Sequence, residues 1–256
     1  MKGPIFDSHA HYNSSRFDED RRQLLQRLPA DGVIGVINAG TTAADSKEGL
    51  ELAEAYEYFW FAAGIHPEEL QDDTPESLAA IKELAQHPKC VAIGEIGLDY
   101  YWDKEHKQQQ IDLFIRQLEL AKELDLPVII HDRDAHGDTM ELLRKYRPKG
   151  VLHCYSGSAE MAKEVIALGM YVGFTGVATF PNGKKCREAI ATIPMDRLLV
   201  ETDCPYMAPV PFRGKRCDSS MIVHTAEAMA QIKGVSTEEM LQQTAENVKT
   251  LFTKIK

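Results

Sequence analysis

The sequence predicts an α/β fold, a single (β/α)8 barrel of the TIM type over residues 1–256, and three observations carry that expectation. Short apolar runs rich in β-branched residues recur eight times, segments of helical period separate them, and eight such repeats in 256 residues match the usual size of the barrel. The runs fall at 5–6, 33–37, 59–63, 91–93, 128–130, 151–152, 171–174 and 198–200. Short continuous apolar runs between helices suit strands covered on both faces, as in a parallel sheet. A doubly wound open sheet is the alternative architecture. It calls for a phosphate-binding glycine fingerprint, and Asn182-Gly183-Lys184-Lys185 lacks the loop that precedes the lysine of such a motif.

The intervening segments carry their own signals. After the third run, Thr74-Pro75 reads as a helix N-cap followed by the first helical residue. After the fourth, residues 105–125 place Ile111, Phe114, Ile115, Leu118 and Ala121 on one helical face. After the eighth, Ser236 with Glu239 forms a capping-box pattern, and Leu241, Ala245, Val248 and Phe252 mark a closing helix. No linker, charge block or repeat divides the chain.

At 44% hydrophobic and 27% charged residues the composition is that of an ordinary globular protein, which excludes fibrous and disordered classes. No apolar run approaches the 18 or so residues of a membrane span, and Asp7 interrupts the start before a signal-peptide core forms. A cytoplasmic location with no membrane partner is therefore expected. With 29 basic and 39 acidic residues the net charge is −10, which argues against a broad basic surface coating nucleic acid but leaves room for a nuclease with a small footprint. Five cysteines without a C-x-x-C pair point to buried free thiols. Nothing indicates an obligate protein partner.

Active sites of such barrels are built where the strands end, and the strand-end residues here are rich in metal ligands. His9 and His11 follow the first run, and in extended backbone they point to the same side. His66 follows the third run, Glu95 the fourth, His131 the fifth, His153 the sixth, and Glu201 and Asp203 the eighth. Each alone has a structural explanation: a hydrogen-bonded histidine, a helix cap, a turn carboxylate, and for Glu201 a salt-bridged strand residue. Jointly they converge on a metal site. His9, His11, Glu95, His131, His153 and Asp203 exceed the needs of one tetrahedral ion, and Glu95 has two oxygens with which to bridge a pair. Two divalent ions sharing a hydroxide suit hydrolysis, with zinc or manganese favoured by the imidazoles and magnesium by the carboxylates. Asp203, in reach of the attacking water, is the candidate base. The remaining histidines, His87, His106, His136 and His224, are expected to serve structure or solvent. No serine nucleophile elbow is present, because Ser156-Gly157-Ser158 has the wrong order.

These residues sit in stretches that resemble the TatD family of metal-dependent deoxyribonucleases, amidohydrolase-like TIM barrels, over nearly the whole chain. The matching stretches are Phe6-Asp7-Ser8-His9-Ala10-His11, Gly64-Ile65-His66-Pro67, Gly94-Glu95-Ile96-Gly97-Leu98-Asp99-Tyr100, His131 with Arg133-Asp134-Ala135, Leu152-His153-Cys154-Tyr155-Ser156-Gly157, and Glu201-Thr202-Asp203-Cys204-Pro205-Tyr206. The resemblance implies that His9, His11, Glu95 and Asp203 hold one ion, that Glu95, His131 and His153 hold the other, and that His66 approaches the substrate phosphate. It implies hydrolysis of DNA phosphodiesters, commonly as a magnesium-dependent 3′–5′ exonuclease. An esterase acting on D-aminoacyl-tRNA, or an amide hydrolase, is the alternative, and a non-catalytic metal-binding protein is a third class that would predict lost ligands. Departures from the family pattern lie at Glu68 and Phe212, where histidines are expected, and at Cys217-Asp218-Ser219 in place of Asn-Glu-Pro. Arg213, Lys215 and Arg216, which follow Asp203, are candidate phosphate contacts. Tyr100, Tyr101 and Trp102 could stack on a base, although at least two of the three are expected in the core.

Overall fold

The computed structural model describes residues 3–256, so the first two residues of the expected domain lie outside it. The strands are β1 (Ile5–Ala10), β2 (Val33–Ala39), β3 (Phe59–Ala63), β4 (Cys90–Asp99), β5 (Val128–Arg133), β6 (Gly150–Leu152), β7 (Tyr171–Phe174) and β8 (Leu198–Val200). They hydrogen-bond in chain order, all in parallel. β8 returns to β1 through the bridge between Ala10 and Cys204, with Asp203 N donating to His9 O at 3.0 Å and His11 N to Cys204 O at 2.8 Å. The expected (β/α)8 barrel is therefore the observed fold.

Around it lie α1 (Arg21–Arg27), α2 (Ala43–Ala55), α3 (Pro75–Leu84), α4 (Lys107–Glu123), α5 (His136–Tyr146), α6 (Ala159–Ala167), α7 (Lys184–Thr192), α8 (Ile222–Lys233) and α9 (Thr237–Leu251). Thr74 caps α3 by accepting from Ser77 N, and Ser236 caps α9 by accepting from Glu239 N, as the cap patterns predict. No helix of the described residues is long and apolar enough to cross a membrane. The five cysteines are free, and all but Cys154 are buried.

Four strands run on past the end of their apolar runs, β2 to Ala39, β5 through His131 to Arg133, and, furthest, β1 and β4. β1 continues through Asp7, Ser8 and His9, and β4 through Glu95 to Asp99. Pairing with a neighbour, rather than side-chain hydrophobicity, extends β4: Ile96, Gly97, Leu98 and Asp99 pair with Ile130, His131, Asp132 and Arg133 of β5. His9, Glu95 and His131 thus lie within strands.

Inside the barrel, Phe6, Ile37, Ala62, Val91, Ile129, Val151, Tyr171 and Leu199 supply at least one side chain from every strand to a cluster shared with Ala245, Val248 and Phe252. α9 thereby seals the end opposite the loops that follow the strands. Helix α4 departs from the apolar face read in the sequence, because Gln110 and Gln117 are fully buried along it. Gln117 accepts from Ile65 N at 2.8 Å and donates to Ile65 O at 2.9 Å, while Gln110 accepts from Asp99 N at 2.8 Å and donates to Asp99 O at 3.1 Å. Each amide satisfies a buried peptide that the sheet leaves unpaired.

Closure between β8 and β1 rests on a buried polar group. Asp7 accepts from Thr202 N at 3.0 Å, Thr202 Oγ1 at 2.6 Å and Ser219 Oγ at 2.7 Å, and Ser219 N in turn donates to Tyr12 Oη at 2.8 Å. Burial pushes the Asp7 carboxyl up to about 7 against the pull of those donors. Asp7→Ala would strand the donors in the interior. It is expected to lower the unfolding free energy by about 1 to 3 kcal/mol, read from urea unfolding in the presence of chelator; a loss well below about 1 kcal/mol would show that closure does not depend on it.

Candidate metal centre

Glu95 is 3% exposed and lies amid histidines from four other strands or their loops. Its two oxygens face different partners. Oε2 lies 3.2 Å from His9 Nε2 and 3.4 Å from His11 Nε2. Those two nitrogens are 3.0 Å apart, and Asp203 Oδ1 is 3.7 Å from the first and 3.4 Å from the second. Oε1 lies 2.9 Å from His131 Nδ1, 2.8 Å from His153 Nε2 and 3.6 Å from His66 Nε2. The four histidines expected as ligands, together with His66, are therefore gathered around Glu95, and Asp203 lies beside His9 and His11.

The first set fits a cation on geometric grounds. Five of the six separations among His9 Nε2, His11 Nε2, Glu95 Oε2 and Asp203 Oδ1 measure 3.0 to 3.7 Å, the spacing of donors that can share a cation bound at about 2.0 to 2.2 Å. The clusters His9–His11–Asp203, His9–Glu95–His153 and His66–Glu95–His131 each bring their donor atoms within 4.8 Å of one another.

Outer contacts orient the imidazoles. His11 Nδ1 donates to Ala39 O at 3.0 Å, and His131 Nε2 donates to Asp99 Oδ2 at 2.9 Å. His153 Nδ1 lies 3.4 Å from Glu201 Oε1, and that fully buried carboxylate also accepts from Cys154 N at 2.6 Å and Ser8 Oγ at 3.2 Å. Carboxylates or carbonyls behind ligand imidazoles set the ring orientation and raise its basicity. Sequence reasoning assigned Glu201 to a salt bridge and gave Asp99 no role, although both stand in the stretches that bear the ligands. Gly97 completes the packing: at φ +146°, a Cβ there would lie 2.0 Å from His131 O, so a side chain would force β4 from β5. Asp203 adopts φ 58°, a left-handed conformation in which closure holds it.

His66 differs from the other four histidines. Its Nδ1 accepts from Glu68 N at 3.2 Å, so its remaining proton sits on Nε2 and points toward Glu95 as a donor. Glu68 reaches this point half-exposed, with burial pushing its carboxyl up.

The electrostatics favour positive charge. Burial opposes ionisation of Glu95, yet the charges of His153, His9 and His66 hold it well below the usual carboxylate range. Burial likewise opposes charge on His11 and His131, but bonds to Asp203 and Glu95 lift His11 to about 10, and bonds to Asp99 and Glu95 lift His131 to about 9. His153 is raised well above its ordinary value by Glu95 and Glu201 against the same burial cost. Burial and the neighbouring His153 lower His9, and burial and His131 lower His66.

The other predicted contacts are placed less centrally. Arg213 and Lys215 are exposed beyond β8, against the rings of Phe180 and Phe212 respectively. Arg216 is committed to Asp20, with Nη1 and Nη2 at 2.7 and 2.6 Å from its two oxygens. Phe212 packs beside His224, and Ser219 belongs to the Asp7 network. Of the three aromatic residues, only Tyr100 is buried. Tyr101 and Trp102 are exposed, which corrects the expectation of at least two in the core: the chain turns at Asp99, whose Oδ1 accepts from both their backbone N–H groups and directs them outward. His136 pairs with Asp132 and His106 with Asp103, away from Glu95.

Comparison with known proteins places this geometry. A family model described as TatD related DNase matches residues 6–253. The chain is 43% identical to the uncharacterized metal-dependent hydrolase YabD of Bacillus subtilis, covering 97% of this chain and 98% of that one. It is 35% identical to the 3′–5′ ssDNA/RNA exonuclease TatD of Erwinia tasmaniensis, covering 97% and 99%. The crystal structure of YJJV, a TatD homologue from Escherichia coli, superposes with a TM-score of 0.92 at 33% identity over 99% of both chains.

A cation entering this centre must displace protons from His11 and His131, which both carry them at pH 7 because their values lie above it. Metal loading should release protons, and affinity should rise with pH until those values are passed. Calorimetric titration in two buffers of different ionisation enthalpy is the check. Affinity unchanged between pH 6 and pH 8, with no proton release, would contradict it.

Proposed function

The chain belongs to the TatD-related DNase family, whose relatives include metal-dependent hydrolases, and on that premise we propose that it hydrolyses DNA phosphodiester bonds with two divalent ions per chain, shortening single strands from a 3′ end. The observation that carries this reading is the division of Glu95, with Oε2 facing His9 and His11 and Oε1 facing His131 and His153. The name of the Erwinia relative supports the substrate and direction of cleavage.

Bound divalent ions would polarise a phosphoryl oxygen and acidify water, with magnesium suited to the carboxylates and phosphate and zinc or manganese to the imidazoles. The chain supplies the rest. Asp203 takes the proton of the attacking water: its Oδ1 lies among the converging donors, and although burial opposes its ionisation, bonds and charges from His11 and His153 hold it in the anionic form. His66 donates from Nε2 to a non-bridging phosphate oxygen, a role its hydrogen bond from Glu68 N selects over metal ligation. Asp99, Glu201 and the Ala39 carbonyl keep the imidazoles aimed while charge shifts around them. Arg213 and Lys215 remain available to phosphates farther along the strand, whereas Arg216 fixes the loop through Asp20.

The test offers end-labelled single-stranded DNA, RNA and D-aminoacyl-tRNA to protein loaded with magnesium, manganese or zinc. Stepwise shortening of DNA from its 3′ end is expected. Release of the amino acid from the tRNA without any shortening of DNA would overturn the reading in favour of a carbonyl ester. Within the reading, Asp203→Asn with metal occupancy verified should slow single-turnover cleavage by roughly 10²- to 10⁴-fold, and a near-parental rate would pass the role of base to another group.

A further inference from the structure

The residues that face Glu95 leave the rim of the barrel mouth unexplained. Among the described residues six large hydrophobic side chains are exposed, and five of them, Tyr101, Trp102, Tyr206, Met207 and Val210, follow β4 or β8. The sixth, Ile34, lies near the start of β2. β4 and β8 stand four strands apart in the ring of eight, so the two exposed aromatic groups flank the Glu95 site from opposite sides.

Each group is tied to the site. On one side, Asp99 Oδ1 accepts from the N–H groups of Tyr101 and Trp102, both at 2.9 Å, while Oδ2 of the same carboxylate accepts from His131. One fully buried side chain thus aims a metal-facing imidazole inward and two aromatic rings outward. On the other side, Tyr206 N donates to Asp203 O at 2.9 Å. Each group also carries an arginine. The guanidinium of Arg133 lies 3.9 Å from the centre of the Tyr101 ring, and that of Arg16 lies 5.4 Å from the centre of the Tyr206 ring. Neither forms an ion pair among the described residues.

An exposed ring beside an unpaired guanidinium matches one nucleotide: the ring stacks on a base and the cation meets its phosphate. The overall charge of −10 argues against holding a strand through a long basic groove. Duplex bases already stack on one another and present no free faces. We infer that Tyr101 with Trp102, and across the mouth Tyr206, form two stacking platforms that grip unpaired bases of single-stranded DNA on either side of the scissile phosphate. This rests on the phosphodiesterase reading above.

The test measures binding of metal-loaded protein to a fluorescein-labelled single strand with phosphorothioate linkages, followed by anisotropy. Trp102→Ala and Tyr206→Ala should each weaken binding roughly 5- to 100-fold, Trp102→Phe should restore most of the loss, and Ile34→Ala should bind as the parent does. A strand with abasic sites should lose affinity for the parent protein but lose little more with Trp102→Ala. The salt dependence should be shallow, a slope of about −1.4 to −2.8 for the two to four phosphates that Arg133, Arg16, Arg213 and Lys215 can meet. Parental affinity in both alanine variants, or equal affinity of the parent for abasic and normal strands, would overturn the platforms. Turnover of bis(p-nitrophenyl) phosphate by the parent separates the two readings. Hydrolysis of that small diester with base-independent DNA binding sinks the platforms alone, whereas base-dependent binding without hydrolysis of either diester sinks the phosphodiesterase reading and leaves the platforms standing.

Discussion

A carboxylate buried among imidazoles organises this molecule. Glu95 is nearly without solvent, and an ionised group in that position is tolerable only when counter-charge surrounds it. His11, His131 and His153 provide it from just beyond β1, from β5 and from the loop beyond β6, with the rings of His9 and His66 packed beside them. No short stretch of chain could bring these groups together. A closed parallel barrel does so because its strand ends converge on one mouth, and here the closure is itself chemical, with Asp7 joining β1 to the residue just before Asp203.

The same requirement explains the polar residues placed deep in the scaffold. Gln110 and Gln117 occupy helix positions where a leucine would pack well, yet each binds the peptide of a residue next to or within a functional stretch, Asp99 in one case and Ile65 beside His66 in the other. Asp99 and Glu201 stand behind His131 and His153. The arrangement has layers: glutamines hold backbone, backbone presents carboxylates, carboxylates orient imidazoles, and imidazoles face Glu95. Rigidity built in this way lets donor atoms stay at fixed separations before any cation arrives, which is the preorganisation that metal sites and hydrolytic centres share.

Much of this was legible in the sequence, for a physical reason. Strands buried on both faces must be continuously apolar, so a His, Glu or Asp at the end of such a run stands out, and the six residues expected as ligands, which the fold brings together, were picked out that way. The strand limits were less legible, since Ser8, His9 and Glu95 interrupt the apolar pattern while backbone pairing carries β1 and β4 onward. Glu201 and Asp99 were undervalued because a residue whose work is to hold another leaves no periodic trace. Tyr101 and Trp102 were misplaced because aromatic composition favours the core, whereas the turn that Asp99 captures faces them to solvent. Arg216 illustrates the converse limit, a basic residue in a basic run whose partner, Asp20, lies far away in the chain.

The central claim is that one carboxylate joins two cation sites. Titration of metal-free protein with manganese, followed by electron paramagnetic resonance, tests it directly, because two manganese ions sharing a bridge are magnetically coupled and distant ions are not. The account predicts that the coupled spectrum grows in as a second equivalent binds and is absent from Glu95→Ala at the same loading. Saturation at one equivalent with an uncoupled six-line signal, or two equivalents that never couple, would contradict it.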